Sequence, residues 1–328
     1  MVAALALAVA LLSGGGEPSV TTAAAAEPSS AALEAELRRA RRPDAAVPAA
    51  RTRAFDASRA LRLVRDQVAV GQRPSGSPQL AALRRRLARL LPAGRTEPVA
   101  GHDGLRNVVG RIPARGGDRR RAVVLAAHYD TQLEPVGFVG ANDSASGTAV
   151  VVEAARALVR ADRLERRRAR RAGRPESRRR EVRFVLLDGE ELPPGGQEAA
   201  FARDGLRGSK AYAAAHAGEL AAVAVVDYVA GRGLRLPREA TSTPALWTRI
   251  RAAARSAGVL RAFPPTVGPA IVDDHLPFLE RGVPAVDLID WDYPYKQGLG
   301  DRLERLSERA IDATGETVVA WLLAERRR

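Results

Sequence analysis

At 328 residues the chain holds enough material for one large α/β domain or two ordinary ones, and its lack of cysteine excludes disulfides, thiolate zinc sites and cysteine nucleophiles. Any metal would therefore fall to carboxylates and to the 4 histidines, His102, His128, His216 and His275. The net charge of +14 rests on 52 basic residues, all arginine except Lys210 and Lys296, a ratio that reads as GC-rich coding bias; with aromatics at 4% and not interleaved with the main arginine cluster, no nucleic-acid partner is expected.

In chain order, residues 1–12 form an apolar run too short to cross a bilayer, followed by small residues and an Ala-x-Ala option at 24–26. This predicts a signal-like segment over 1–26, lacking the usual positive start, with export from a bacterial cell and no stable membrane insertion. Residues 13–50 are rich in Ala, Gly, Pro, Ser and Glu; 27–53 read as a linker with an amphipathic stretch at 31–41, and one folded domain is expected over 54–328. Helices are predicted at 58–68 and 79–91 around a loop at 72–78, then strands at 105–112 and 121–127 around a turn at 113–117. Residues 143–147 lead into a helix over 148–159, and the eleven arginines of 160–180, without apolar periodicity, read as a solvated helix extension and loop. Strands follow at 182–187, 220–226 and 283–289, and helices at 209–217, 243–257 and 307–323, the second with Ser242 or Thr243 as cap and Pro244 in its first turn. This alternation predicts a three-layer α/β/α fold on a mostly parallel mixed sheet, with the site at the carboxyl ends of the strands.

Acidic residues collect at those ends. Glu190-Glu191 closes the apolar run 182–187 through Asp188-Gly189, and two adjacent carboxylates there suit a division of labour, one holding a metal and its neighbour handling protons. In His128-Tyr129-Asp130 the carboxylate can orient the imidazole as it does behind zinc ligands, or simply cap a structural histidine. Asp143, among small residues, can bind one ion or bridge two, or serve as a plain helix cap. Asp227 ends a strand and Asp273-Asp274-His275 occupies a loop. A single such carboxylate is more often solvated than functional; five strand ends carrying acids are harder to explain that way.

Five blocks, in order, carry a family resemblance: His128-Tyr-Asp-Thr131, Gly140-Ala-Asn-Asp143-Ser-Ala-Ser-Gly147, Asp188-Gly-Glu-Glu191, Gly208-Ser209 and Asp273-Asp-His-Leu-Pro-Phe278. From about residue 60 onward the chain resembles metallopeptidase family 28, which holds zinc aminopeptidases and glutaminyl-peptide cyclotransferases; Arg73-Pro-Ser-Gly-Ser-Pro78 resembles its early loop. The resemblance implies a zinc enzyme, with one ion or two, acting on peptide or protein N-termini. Asp143 and Glu191 would be zinc ligands and Glu190 the general base. In the two-zinc aminopeptidases the positions of His128 and Asp227 hold a second metal, with Asp143 bridging. In the cyclases Asp227 and Asp274 share protons with Glu190, and the Asp-Gly-Glu-Glu and Asp-Asp-His-x-Pro-Phe blocks resemble that branch more closely.

The pattern breaks once. Where the family has Trp-His-Thr after Tyr-Pro-Tyr, this chain has Lys296-Gln297-Gly298, so Gln297 occupies the position of the last metal-ligand histidine, and no histidine follows His275. A neutral amide oxygen is a poorer zinc ligand than imidazole. Three expectations follow: a cyclase that tolerates Gln297, an aminopeptidase, or a family member without activity.

Overall fold

The computed structural model describes residues 43–328. The signal-like segment, the amphipathic stretch at 31–41 and residues 27–42 of the expected linker lie outside the described residues. Six strands, β1 (Arg95–Pro98), β2 (Arg106–Ile112), β3 (Ala122–His128), β4 (Val182–Leu187), β5 (Leu220–Asp227) and β6 (Ala285–Ile289), form one sheet in the order β1-β2-β4-β3-β5-β6. β4, β3, β5 and β6 run parallel, while β1 and β2 pair antiparallel along one side. The sheet is thus mixed and mostly parallel at its centre.

The longer helices are α1 (Ala57–Val68), α2 (Pro78–Leu90), α3 (Ala145–Arg171), α4 (Arg207–His216), α5 (Pro244–Ala257) and α6 (Glu308–Arg327). Side chains alternate across a strand, and the two faces fill two cores accordingly. Val123, Leu125, Ala127, Phe184, Leu186, Ala222, Ala224 and Val226 pack under α1, α2, α3, α5 and α6. Val124, Ala126, Val185, Leu187, Val223 and Val225 meet Tyr212 of α4 and Phe278 on the other face. The result is three layers, α/β/α. β3, fully buried and flanked by β4 and β5, is the keel: truncating Leu125 there would cost about 2–5 kcal/mol.

Three features depart from the sequence reading. The folded body starts before residue 54, because Val47 and Ala50 sit in the main core and the Arg51 N–H donates to the Ala257 carbonyl at the end of α5. Short Ala and Val side chains in a Pro-rich stretch resemble a linker in composition but fit the groove beside the helices. β1, Arg-Thr-Glu-Pro, carries no hydrophobic alternation, as an edge strand that meets solvent can afford, and Pro98 is tolerated there. The cap of α5 is Thr243, but its hydroxyl accepts from the Ala285 N–H, so it ties the helix start to β6 instead of closing the first turn.

The helix extension is present. α3 runs to Arg171, well past the apolar stretch, and its first turn presses on the sheet at Gly147, where a Cβ would lie 2.2 Å from the Val226 carbonyl oxygen. That close approach brings the loop before α3 down to the end of β5.

Candidate active site

Parallel strands in register bring their last residues to one edge. His128 ends β3 opposite Leu187, Asp188–Glu191 follow β4, and Asp227 ends β5. The loop 140–144, lowered by Gly147, completes the wall with Asp143.

His128 is the hub, buried at 3% exposure. Its Nε2 lies 3.2 Å from Asp143 Oδ1 and 3.6 Å from Asp227 Oδ1, and its Nδ1 is 3.6 Å from Glu190 Oε2. His128, Asp143 and Glu191 each offer a ligand atom within 4.8 Å of the others. One imidazole and two carboxylates form a donor set that suits zinc. Nδ1 of His128 is buried without a hydrogen-bond partner.

Asp130 has a different job from the expected one. It stands 3.7 Å from His128 Nδ1, too far for a hydrogen bond, and accepts the N–H groups of Glu190 and Glu191, each at 3.3 Å. It therefore shapes the Glu190-Glu191 turn. Asp143 is not a helix cap: Ser144 holds that position, while Asp143 Oδ2 accepts from the Tyr228 hydroxyl at 2.5 Å. Tyr228 adopts a left-handed backbone, φ 47°, and its N–H donates to Asp227 Oδ1 at 2.8 Å, so one residue links both carboxylates. Behind the loop, Asp301 accepts the N–H groups of Asn142 and Asp143 and the Tyr293 hydroxyl. The fully buried Arg73 guanidinium donates to the carbonyls of Val139 and Gly140 and to Ser144 Oγ.

Asp273 and Asp274 follow on the same side. Asp274 is fully buried with neither carboxylate oxygen hydrogen-bonded. A second buried group, Asp273, His275 and Asp287, lies beside it, with His275 Nε2 held by Thr241 Oγ1 at 2.7 Å and Glu239 at 3.1 Å. Gln297 enters through its backbone, at φ 57°, its carbonyl accepting from Gln132 Nε2 at 3.0 Å. That bond ties the 291–301 segment to the loop after β3. The Gln297 side chain makes no hydrogen bond among the described residues.

Crowding of acids sets the electrostatics. Burial raises Glu190 and Glu191 well above the ordinary glutamate value, with Glu191 repelling Glu190, and Asp143 repelling Glu191. Burial also lifts Asp227 to about 7 despite the pull of His128, and burial with Asp273 lifts Asp274 to about 8. Burial alone would lower His128, but Glu190, Asp130, Asp143 and Asp227 outweigh it and hold the ring well above its usual value. A divalent cation among these oxygens relieves that repulsion, so the residues fit a metal.

The model of Peptidase family M28 matches residues 107–322. The chain belongs to that family. The M28 match spans every residue of the wall just described except Arg73. Among curated relatives, the glutaminyl-peptide cyclotransferase of Boiga irregularis is 26% identical over 245 residues, covering 62% of this chain and 62% of that protein's length. The glutaminyl cyclase of an Acidobacteriales bacterium superposes with a TM-score of 0.68 at 28% identity, over 84% of this chain and 96% of that one. A leucine aminopeptidase precursor from Bacteroides thetaiotaomicron gives the same TM-score, 0.68, at 24% identity over 84% of this chain and 98% of that one, and shares the fold.

Sequence reasoning missed the roles of Tyr228 and Asp301. A tyrosine directly after a strand-end aspartate is the one visible signal for the first.

Proposed function

We propose that the chain is a zinc-dependent enzyme acting on peptide N-termini, closing N-terminal glutamine to pyroglutamate with release of ammonia. The observation that carries the reading is the pairing of Glu190 with the His128–Asp143–Glu191 group: a buried acid 3.6 Å from the imidazole of a three-residue cluster able to hold a cation. His128, Asp143 and Glu191 would hold the ion, with Asp227 within reach of the same imidazole nitrogen. When bound, the metal supplies Lewis-acid polarisation of the carbonyl under attack.

The chain's own residues do the rest. Glu190 takes a proton from the substrate α-amine, the amine nitrogen bonds to the side-chain carbonyl carbon, and the carbon–nitrogen bond to the amide nitrogen breaks. Glu190 returns the proton to that nitrogen, which leaves as ammonia. Asp227 and Asp274, crowded into the same buried edge, would share protons with it. The cyclotransferase and cyclase relatives support this substrate class.

An aminopeptidase is the second reading. In that reading His128 Nε2, 3.2 Å from Asp143 and 3.6 Å from Asp227, would serve one ion together with those two carboxylates, and Asp143 with Glu191 would serve the other. Export is supported by the signal-like start, and among the described residues no helix is long and apolar enough to cross a membrane.

The test is metal analysis of the purified chain together with N-terminal glutaminyl and aminoacyl substrates. One zinc with ammonia release supports the cyclase, and two zincs with free amino acids support the aminopeptidase. A chain that binds no zinc and turns over neither, while Gln297→His restores either property, is a family member without activity.

A further inference from the structure

A cavity of about 310 Å³ opens among α1, α2 and α3, in the helical layer and apart from the residues at the strand ends. Its walls carry Arg59, Arg62 and Arg65 from α1, Arg86 from α2 and Arg156 from α3. Leu63 and Leu90 supply its apolar lining. Arginine abundance by itself scatters guanidiniums over a surface; here three helices converge them on one recess.

The charges there do not balance. Asp66, the acidic residue of the lining, is already paired with Arg86. Glu153, 1% exposed on α3, grips Arg59 through Nε and Nη2, both at 2.7 Å, and stands 3.7 Å from Arg156. Three guanidiniums are thus fixed from behind by carboxylates. Arg62 and Arg65 pair with no carboxylate among the described residues. Two uncompensated, exposed guanidiniums beside anchored ones offer N–H donors to an oxyanion, since planar N–H pairs match phosphoryl oxygens bidentately. The leucines leave room for an organic portion.

We propose that this cavity binds a compact phosphorylated anion, with Arg62 and Arg65 taking its phosphoryl oxygens between the anchored Arg59 and Arg86. The shared chemistry is a phosphate ester, from a soluble molecule or a phospholipid headgroup. The site is independent of the activity proposed above.

Isothermal titration of the full chain with inorganic tripolyphosphate, alongside sedimentation with phosphatidylcholine vesicles with and without phosphatidic acid, tests it. The charge-reversed R62E/R65E chain, altered at two exposed positions, is expected to keep its circular-dichroism melt. It is expected to bind at least ~10-fold more weakly, the equivalent of one lost charge-assisted contact. Because polyphosphates also seek metals, Asp143→Ala is titrated in parallel and should bind as the parent does. Tripolyphosphate binding alone, lost in R62E/R65E, assigns a soluble phosphorylated anion; vesicle binding that needs phosphatidic acid and is lost in R62E/R65E assigns a headgroup. Failure of both probes, binding that R62E/R65E leaves unchanged, or binding lost only in Asp143→Ala overturns the proposal.

Discussion

Along the ends of β3, β4 and β5 the site is held by carboxylate-to-backbone hydrogen bonds, whereas residues 291–297 facing it pack largely through rings. Asp130 fixes the Glu190-Glu191 turn through two N–H groups, and Asp301 fixes the Asn142-Asp143 turn in the same manner. Across from them, Tyr293 packs between Tyr228 and Tyr295, Lys296 sits 5.4 Å over the Trp291 ring, and Gln297 offers only its carbonyl. A turn locked by carboxylate-to-backbone bonds holds its side chains whatever residues stand at its tip. A ring-packed loop keeps its path while the residue at its tip changes. The position that departs from the family pattern lies in the second kind of wall.

The largest effect should come from the first wall. Glu190→Gln would remove the proposed proton carrier while keeping its shape, and is expected to lower turnover by ~10²–10⁴-fold with zinc content unchanged. Loss of zinc together with activity would instead make Glu190 a ligand. His128→Ala or Glu191→Ala should weaken zinc binding by more than the ~10–100-fold typical of losing a ligand's supporting partner, read by competition with a chelating dye. If Gln297→Ala weakens zinc as much as His128→Ala does, the comparison between the walls fails.

Gln297→His should sharpen it. Histidine tolerates the left-handed backbone that Gln297 adopts, so the substitution should fold and tighten zinc by at least ~10-fold. The smallest effect is expected from Tyr228→Phe, which takes one donor from Asp143: a loss of ~10-fold or less in zinc affinity, with the melting temperature little changed.

Much of the first wall was legible in the chain. Strand ends followed by Asp-Gly-Glu-Glu, His-x-Asp or a terminal aspartate can be read locally, because parallel strands deliver their last residues to one edge whatever the details of packing. The supports were not legible. Tyr228 meets Asp143 across 85 positions, and Asp301 meets the Asp143 N–H across 158, and no local pattern announces such pairings. Local reading also gave Asp130 to the imidazole, when two backbone N–H groups claim it. In the fold, β1 and the packed residues Val47 and Ala50 escaped for the opposite reason: their composition is that of loops, and only the neighbours they meet make them part of the body.

The 27 residues of α3 make a rod of roughly 40 Å. One end begins beside Asp143 and the other is crowned by arginines in open solvent. A dye, bead or surface attached at Arg171 would therefore grip the molecule by a stiff handle at the far end of the rod, leaving the strand ends unobstructed. Immobilised that way, the protein would present its acidic strand-end edge in one orientation, which suits single-molecule binding measurements.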